Sequence, residues 1–186
     1  GNAGATHIRM SPFALTTTRT LTLRCSPAMH DDAQFDSDGR LTSKNYGDVY
    51  FSGDGVQETE HVFVAGNALP QRFEQARGTF VVGETGFGTG LNFLVTAECF
   101  LRHADKMARL VFVSTERHLL TCDILTATHA QLPEHLQALA NELREALANT
   151  TSRSSRRIEF ADGRIALHVL LGDAKEALQN HTFAAD

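Results

Sequence analysis

The sequence has no tryptophan, two tyrosines, four prolines and three cysteines among its 186 residues. Without Trp and with so little Tyr, few side chains are suited to stacking on nucleic-acid bases. Cys25, Cys99 and Cys122 stand far apart, with no Cys-x-x-Cys and no Cys/His pair at zinc spacing, so a structural zinc site is not expected. His129 and His135 are six positions apart, which does not align them as ligands on one helix, and no metal site is expected at all. An odd, sparse cysteine count fits a reducing compartment. Positive charge is also short: 17 Lys and Arg face 22 Asp and Glu, for a net charge of −5. A protein that coats DNA is usually basic, so any nucleic-acid contact must come from a local patch. No run approaches the roughly 20 apolar residues of a membrane span, and no membrane contact is expected.

What is present is ordinary for a globular chain: 42% hydrophobic and 21% charged residues. The sequence divides into three parts. Residues 1–24 read as a leader or flexible N-terminus. Residues 1–30 contain no Asp or Glu but hold Arg9, Arg19 and Arg24, the composition of a mitochondrial transit peptide. A leader followed by a strand (TTTRTLTLRC) is the preferred reading, with a cytoplasmic location and a mitochondrial one as the alternative. Residues 25–78 form an N-terminal β/turn extension. In it, 31–47 are expected to be turns, DVYFS (48–52) and HVFVA (61–65) to be two strands or a strand and a helix start, and Pro70 to mark a turn.

Residues 79–186 change character. TFVV (79–82) and LVFV (110–113) are continuous apolar runs with β-branched residues, of the kind buried on both faces of a sheet. Helices are expected over 91–107, 119–129 and 133–149, the last with an apolar stripe at Leu136, Leu139, Ala140 and Leu143. TTSRSSRR (150–157) reads as a polar basic loop. Asp162-Gly163, between 158–160 and 164–171, is a hairpin signal, and a short helix follows over 174–178. Alternating β and α units imply an α/β fold with a parallel, doubly wound sheet.

The most informative segment is FVVGETGFGTGLNFL. Gly86, Gly88 and Gly90 alternate between a strand and a helix, where the backbone can turn sharply beside a ligand. A triphosphate loop needs Lys and then Ser or Thr after its last glycine, but Leu91 and Asn92 follow Gly90. A dinucleotide loop, G-x-G-x-x-G, would put its third glycine at Leu91. What remains is acidic-x-G-x-G-x-G from Glu84, or a glycine-rich turn without a ligand. The acidic pattern resembles the first motif of class I S-adenosylmethionine-dependent methyltransferases. Glu116, after the second strand, stands where a carboxylate can accept ribose hydroxyls in doubly wound folds. Asp173, in LLGDA, is placed by the methyltransferase resemblance near the adenine amino group. For both acids the plain alternative is a helix N-cap.

A more specific resemblance runs from about Pro27 to the end. NYGDVYFSGDGVQETEHVFVAGNALPQRF followed by GTFVVGETGFGTGLNFL closely resembles the methyltransferase domain of the MnmC family, the bifunctional tRNA 5-methylaminomethyl-2-thiouridine biosynthesis proteins. The long GFGTGLNFL string (86–94) carries most of it, and 112–116 and 163–173 match more loosely. The resemblance implies a Rossmann-like fold and S-adenosylmethionine-dependent methylation of the aminomethyl group on a tRNA wobble uridine. The cofactor-binding set it implies is Tyr50, Glu84, Gly86, Phe87, Gly88, Gly90, Asn92, Glu116 and Asp173, and no catalytic residue is named. FAD would enter only through a fused second domain or an FAD-dependent oxidase partner, which this chain does not hold. The tRNA is the partner, and Arg153, Arg156 and Arg157 are candidates for contacts to its phosphates, with a solvated loop as the alternative.

The family pattern also implies that only about three of seven strands are here, with the C-terminal half of the fold missing. Such a half-sheet leaves a strand edge unpaired, and no methyl transfer is expected from this stretch alone. Two rival functions stand beside the first. One is a methyltransferase with another substrate. The other is a methyltransferase-like structural or assembly protein without activity.

Overall fold

The computed structural model describes residues 33–43, 49–51, 54–149 and 155–180. The expected leader and the TTTRTLTLRC strand lie outside them. The N-terminal extension begins with a small antiparallel sheet of β1 (Ala33–Phe35), β2 (Leu41–Ser43) and β3 (Val49–Phe51). The segment 31–47 is therefore not all turn. Asp36 closes the β1–β2 connection by accepting the Asp38 and Arg40 amides on Oδ1, each at 2.9 Å, and this Asx turn lets the two short strands pair. Leu41 is fully buried and ties this sheet to the main core.

Helical structure follows: α1 (Gly55–Glu58), a π-helical segment (Thr59–Ala65) and α2 (Leu69–Gln75). Of the two expectations for HVFVA, the structure takes the helix. Val64 is buried, and the Phe63 ring stands 6.4 Å from that of Phe112, so packing overrides the β-prone composition. Pro70 sits in the first turn of α2, where its missing N–H costs no hydrogen bond.

The main sheet has the order β4-β5-β7-β6, from β4 (Thr79–Thr85), β5 (Arg109–Glu116), β6 (Ser155–Phe160) and β7 (Ile165–Leu171). β4, β5 and β7 are parallel; β6 runs antiparallel to β7. The fold is thus α/β with a mostly parallel sheet. The departure from all-parallel has a local cause. A tight turn over Ala161, Asp162 and Gly163, all at positive φ, returns the chain beside itself, as Asp-Gly predicts. β6 also begins at Ser155, inside the stretch expected to be a basic loop. Among the described residues β4 is an outer strand, and Val81 is 61% exposed, so TFVV is not buried on both faces as expected.

α3 (Leu91–His103), α4 (Cys122–His129), α5 (Glu134–Asn149) and α6 (Ala174–Asn180) complete the described structure. α3 stops short of Met107 because Ala104 turns extended and Asp105 then closes a turn through the amides of Met107 and Ala108. α4 starts at Cys122, later than 119, because Thr121 is its N-cap and its hydroxyl accepts the Ile124 amide at 3.3 Å. Leu136, Ala140, Leu143 and Leu147 form the buried stripe of α5. Phenylalanines lock the helices onto the sheet. Phe93 of α3 packs on Phe112 of β5 and Phe160 of β6, and Phe73 of α2 meets Phe80 of β4 and Phe100 of α3 edge-on. This packing fixes the C-terminal ends of β4 and β5 side by side.

Candidate functional site

Those strand ends are where doubly wound sheets bind ligands, because the loops there can open a crevice between the strands. β4 leads into the glycine loop 86–90, and α3 begins directly behind it. The loop is hooked to the neighbouring strand: the Gly86 amide donates to the Thr115 carbonyl at 2.8 Å, one step beyond the β4–β5 ladder. Gly86, Gly88 and Gly90 all have positive φ, at 85°, 52° and 76°. At Gly90 space is also short. A Cβ there would lie 2.8 Å from Cζ of Phe87 and 3.0 Å from Cδ2 of Leu143. Phe87 therefore turns its ring into the core beneath the loop, and only its backbone remains at the candidate site.

Glu116 closes β5 and is almost fully buried. Its Oε2 accepts the Gly88 amide at 2.9 Å and its Oε1 accepts the His118 amide at 3.0 Å. One carboxylate thus spans the glycine loop and the loop after β5. Each oxygen keeps a further acceptor position for a ligand hydroxyl.

Glu84, on the same face of the sheet at the end of β4, lives differently. Its Oε2 accepts from Asn92 Nδ2 at 3.0 Å, while its Oε1 is buried without a hydrogen-bond partner among the described residues. Burial pushes the Glu84 carboxyl up to about 7, helped by the nearby Glu116 charge and opposed by Asn92 and the Ser114 hydroxyl. The Ser114 hydroxyl is near enough to lower this value but makes no full hydrogen bond, so Oε1 keeps an acceptor position that a donor or cation could fill. Asn92 in turn accepts the Thr59 hydroxyl on Oδ1 at 3.2 Å.

On the loop's other flank, His129 is buried at the end of α4 with Nε2 2.8 Å from the Thr89 carbonyl. Burial lowers its pKa, with a smaller push from the Arg144 charge, so the ring stays neutral and Nε2–H donates. Neither Thr59 nor His129 stood out in the sequence as part of this site. Their partners lie 33 and 40 positions away, and no local pattern announces such a contact.

The other expected residues are scattered. Asp173 is exposed; it accepts the Lys175 amide at 3.0 Å as the cap of α6 and pairs with Arg117 at 2.8 Å. Those backbone and guanidinium contacts hold its carboxyl below the usual range. The capping alternative is what the structure contains, though Arg117 does tie it to the end of β5. Tyr50 is the middle residue of β3, in the small sheet. Of the three arginines, Arg153 lies outside the described residues. Arg156 is buried, with Nη1 3.3 Å from the Leu147 carbonyl, because its position on β6 faces α5, so it is not available to phosphates as expected. Arg157 is exposed and pairs with Glu159 at 3.1 Å. Among the described residues no group of three or more His, Cys, Asp or Glu could hold a metal ion, and no helix is long and apolar enough to cross a membrane.

No family model matches the chain. Curated relatives do. It is 47% identical over 152 residues to the tRNA 5-methylaminomethyl-2-thiouridine biosynthesis bifunctional protein MnmC of Stutzerimonas stutzeri, covering 80% of this chain and 23% of that protein. The MnmC protein of the same name from Chromohalobacter salexigens is 44% identical over 161 residues, covering 85% of this chain and 22% of its own. That from Aromatoleum aromaticum is 42% identical over 153 residues, covering 82% and 24%. The chain therefore spans about a quarter of these relatives' length. A crystal structure of MnmC2 from Aquifex aeolicus superposes with a TM-score of 0.59 at 21% identity, covering 84% of this chain and 47% of that one, and bears on the fold alone. Over about four-fifths of its length, the chain is homologous to part of these proteins.

Proposed function

We propose, from the premise that this chain is homologous to part of the MnmC proteins, that it is the S-adenosylmethionine-binding part of a tRNA methyltransferase. The methyl acceptor is the aminomethyl group on a wobble uridine, and the place of action is the cytoplasm. The mitochondrial alternative finds no support, since the matched relatives are bacterial proteins. An FAD-dependent domain, if fused or recruited, belongs outside these residues.

The observation that carries this reading is Glu116. A buried carboxylate at the mouth of the second parallel strand, with one oxygen on the glycine loop and a free acceptor position on each oxygen, suits a vicinal diol such as a ribose. The loop fits the same group. Its backbone, with open space where a Cβ would stand at Gly86, leaves room for close approach, and the open acceptor on Glu84 Oε1 suits a cationic or donor group. When bound, S-adenosylmethionine supplies an electrophilic methyl group on a sulfonium.

The chain's own residues bind and orient. Glu116 takes the ribose, the glycine loop sets the depth of approach, and Glu84 faces the cationic end. Little covalent help is then needed, because a neutral amine in line with the methyl reacts through positioning. The proton the amine loses goes to a carboxylate or to water.

Isothermal titration tests the reading. The folded protein should bind S-adenosylmethionine, and Glu116→Ala and Gly88→Val should each abolish binding while circular dichroism stays that of the parent. Well-folded protein that does not bind overturns it and favours the structural or assembly role. Assay of the full-length protein on tRNA carrying the aminomethyl base then separates this substrate from any other.

A further inference from the structure

The π-helical segment Thr59–Ala65 is a rare element, and the function proposed above does not use it. It is anchored on the core by Val64 and by Phe63 against Phe112, independently of any polar contact. That anchoring delivers the buried Thr59 to the start of α3. There its Oγ1 donates to Asn92 Oδ1 at 3.2 Å, and Asn92 Nδ2 donates to Glu84 Oε2 at 3.0 Å.

We propose that Thr59 is a positioning residue of the cofactor site, orienting the Asn92 amide toward Glu84 and so making the π-helical segment a working part of that site. The proposal rests on the S-adenosylmethionine reading and deepens it. The hydrogen bonds run in one direction, hydroxyl to amide oxygen and amide nitrogen to carboxylate. A donor on the amide oxygen polarises the amide and strengthens its N–H toward the ionised acid. Without the hydroxyl, Oδ1 is left without this donor, and the amide can rotate to present oxygen to a protonated Glu84 instead. The ionised form of Glu84, which suits a cationic ligand, loses its support. The charged group facing Glu84 from the neighbouring strand is Glu116; Ser114 and Asn92 are its neutral neighbours.

The test is S-adenosylmethionine affinity between pH 6 and 9 for the parent, Thr59→Val and Thr59→Ser, with Thr59→Ala in place of Val if Val does not fold. Comparing variants at each pH cancels the ligand's own titration. Thr59→Val should bind roughly fivefold more weakly at pH 7 and within about twofold of the parent at pH 9, as a rise of about one pH unit in the midpoint requires. Thr59→Ser should follow the parent throughout. Weakening that is equal at every pH, or none, overturns the positioning role while leaving the cofactor reading intact. A folded parent that binds nothing overturns the cofactor reading and this proposal with it.

Discussion

The mouths of β4 and β5 carry the same side chain in opposite circumstances. Glu116, ending β5, has both oxygens on backbone amides. Glu84, next to last in β4, has one oxygen on Asn92 and the other buried without a hydrogen-bond partner among the described residues. The backbone differs in the same sense. The β5 end continues into an ordinary loop, while the β4 end enters five residues of which three have positive φ. Those three are glycines, which take positive φ without strain, so the cost at this mouth lies in its buried and only partly hydrogen-bonded carboxylate. The β5 mouth is therefore a fixed support, and the β4 mouth is held ready at a cost in stability.

Substitutions at the two mouths can break that contrast. The largest effect should come at Gly90, where positive φ and the Phe87 and Leu143 contacts act together. Gly90→Val should lower unfolding free energy by about 2–5 kcal/mol in urea titration. Gly86→Ala, with nothing within 4 Å of its Cβ, should lose only about 1–2 kcal/mol. Equal losses would show that strain alone governs the loop.

His129→Ala should cost about 2–3 kcal/mol, since it leaves the Thr89 carbonyl without its donor and opens a cavity. In the parent, the lowered pKa of His129 means its contribution is present above pH 6.5 and is lost as pH falls below that value. A parent-minus-variant difference that does not shrink on acidification would remove the neutral ring from the account.

Glu84 gives the opposite sign. Its folded-state value of about 7 is raised from 4.5, so between those values the folded protein holds the proton more tightly than the unfolded chain. Its contribution is full below pH 4.5 and is lost as pH rises through about 7. Glu84→Gln should therefore stabilise the protein at pH 8 by about 1–3 kcal/mol, with less gain at pH 5, while weakening S-adenosylmethionine binding. Glu116→Gln, which puts an amide nitrogen where one oxygen accepts a backbone N–H, should destabilise the protein instead, and a gain there would erase the contrast between the mouths.

The smallest effect belongs to Asp173, a solvent-exposed cap. Asp173→Ala should barely move the urea midpoint. Titration with S-adenosylmethionine then decides whether the residue also faces the adenine, as the family resemblance implies.

Much of this was legible in the chain because it rests on local chemistry. TFVV and LVFV read as β4 and β5, Asp162-Gly163 as the turn between β6 and β7, and the glycine alternation as a strand-to-helix loop. Each depends on residues within a few positions of one another. The rest depends on tertiary contacts. HVFVA is helical because Phe63 and Val64 meet the core. Arg156 is hidden because β6 reaches back to Ser155. Thr59 meets the start of α3, and His129 the loop, from distant elements. Phe87 lay within the right motif, but its direction follows from the room beneath Gly90, which Leu143 of α5 helps to bound.

β4 also has a consequence for handling the protein. Its TFVVGET sequence contains no Lys or Pro, and its single charge, Glu84, is turned inward beside Asn92. With Val81 exposed on a strand that is outermost among the described residues, nothing in that strand's sequence discourages a second copy from adding its own edge. Solutions of the 186-residue chain should therefore scatter light increasingly with concentration, and Val81→Lys should hold them monodisperse without altering affinity at the glycine loop.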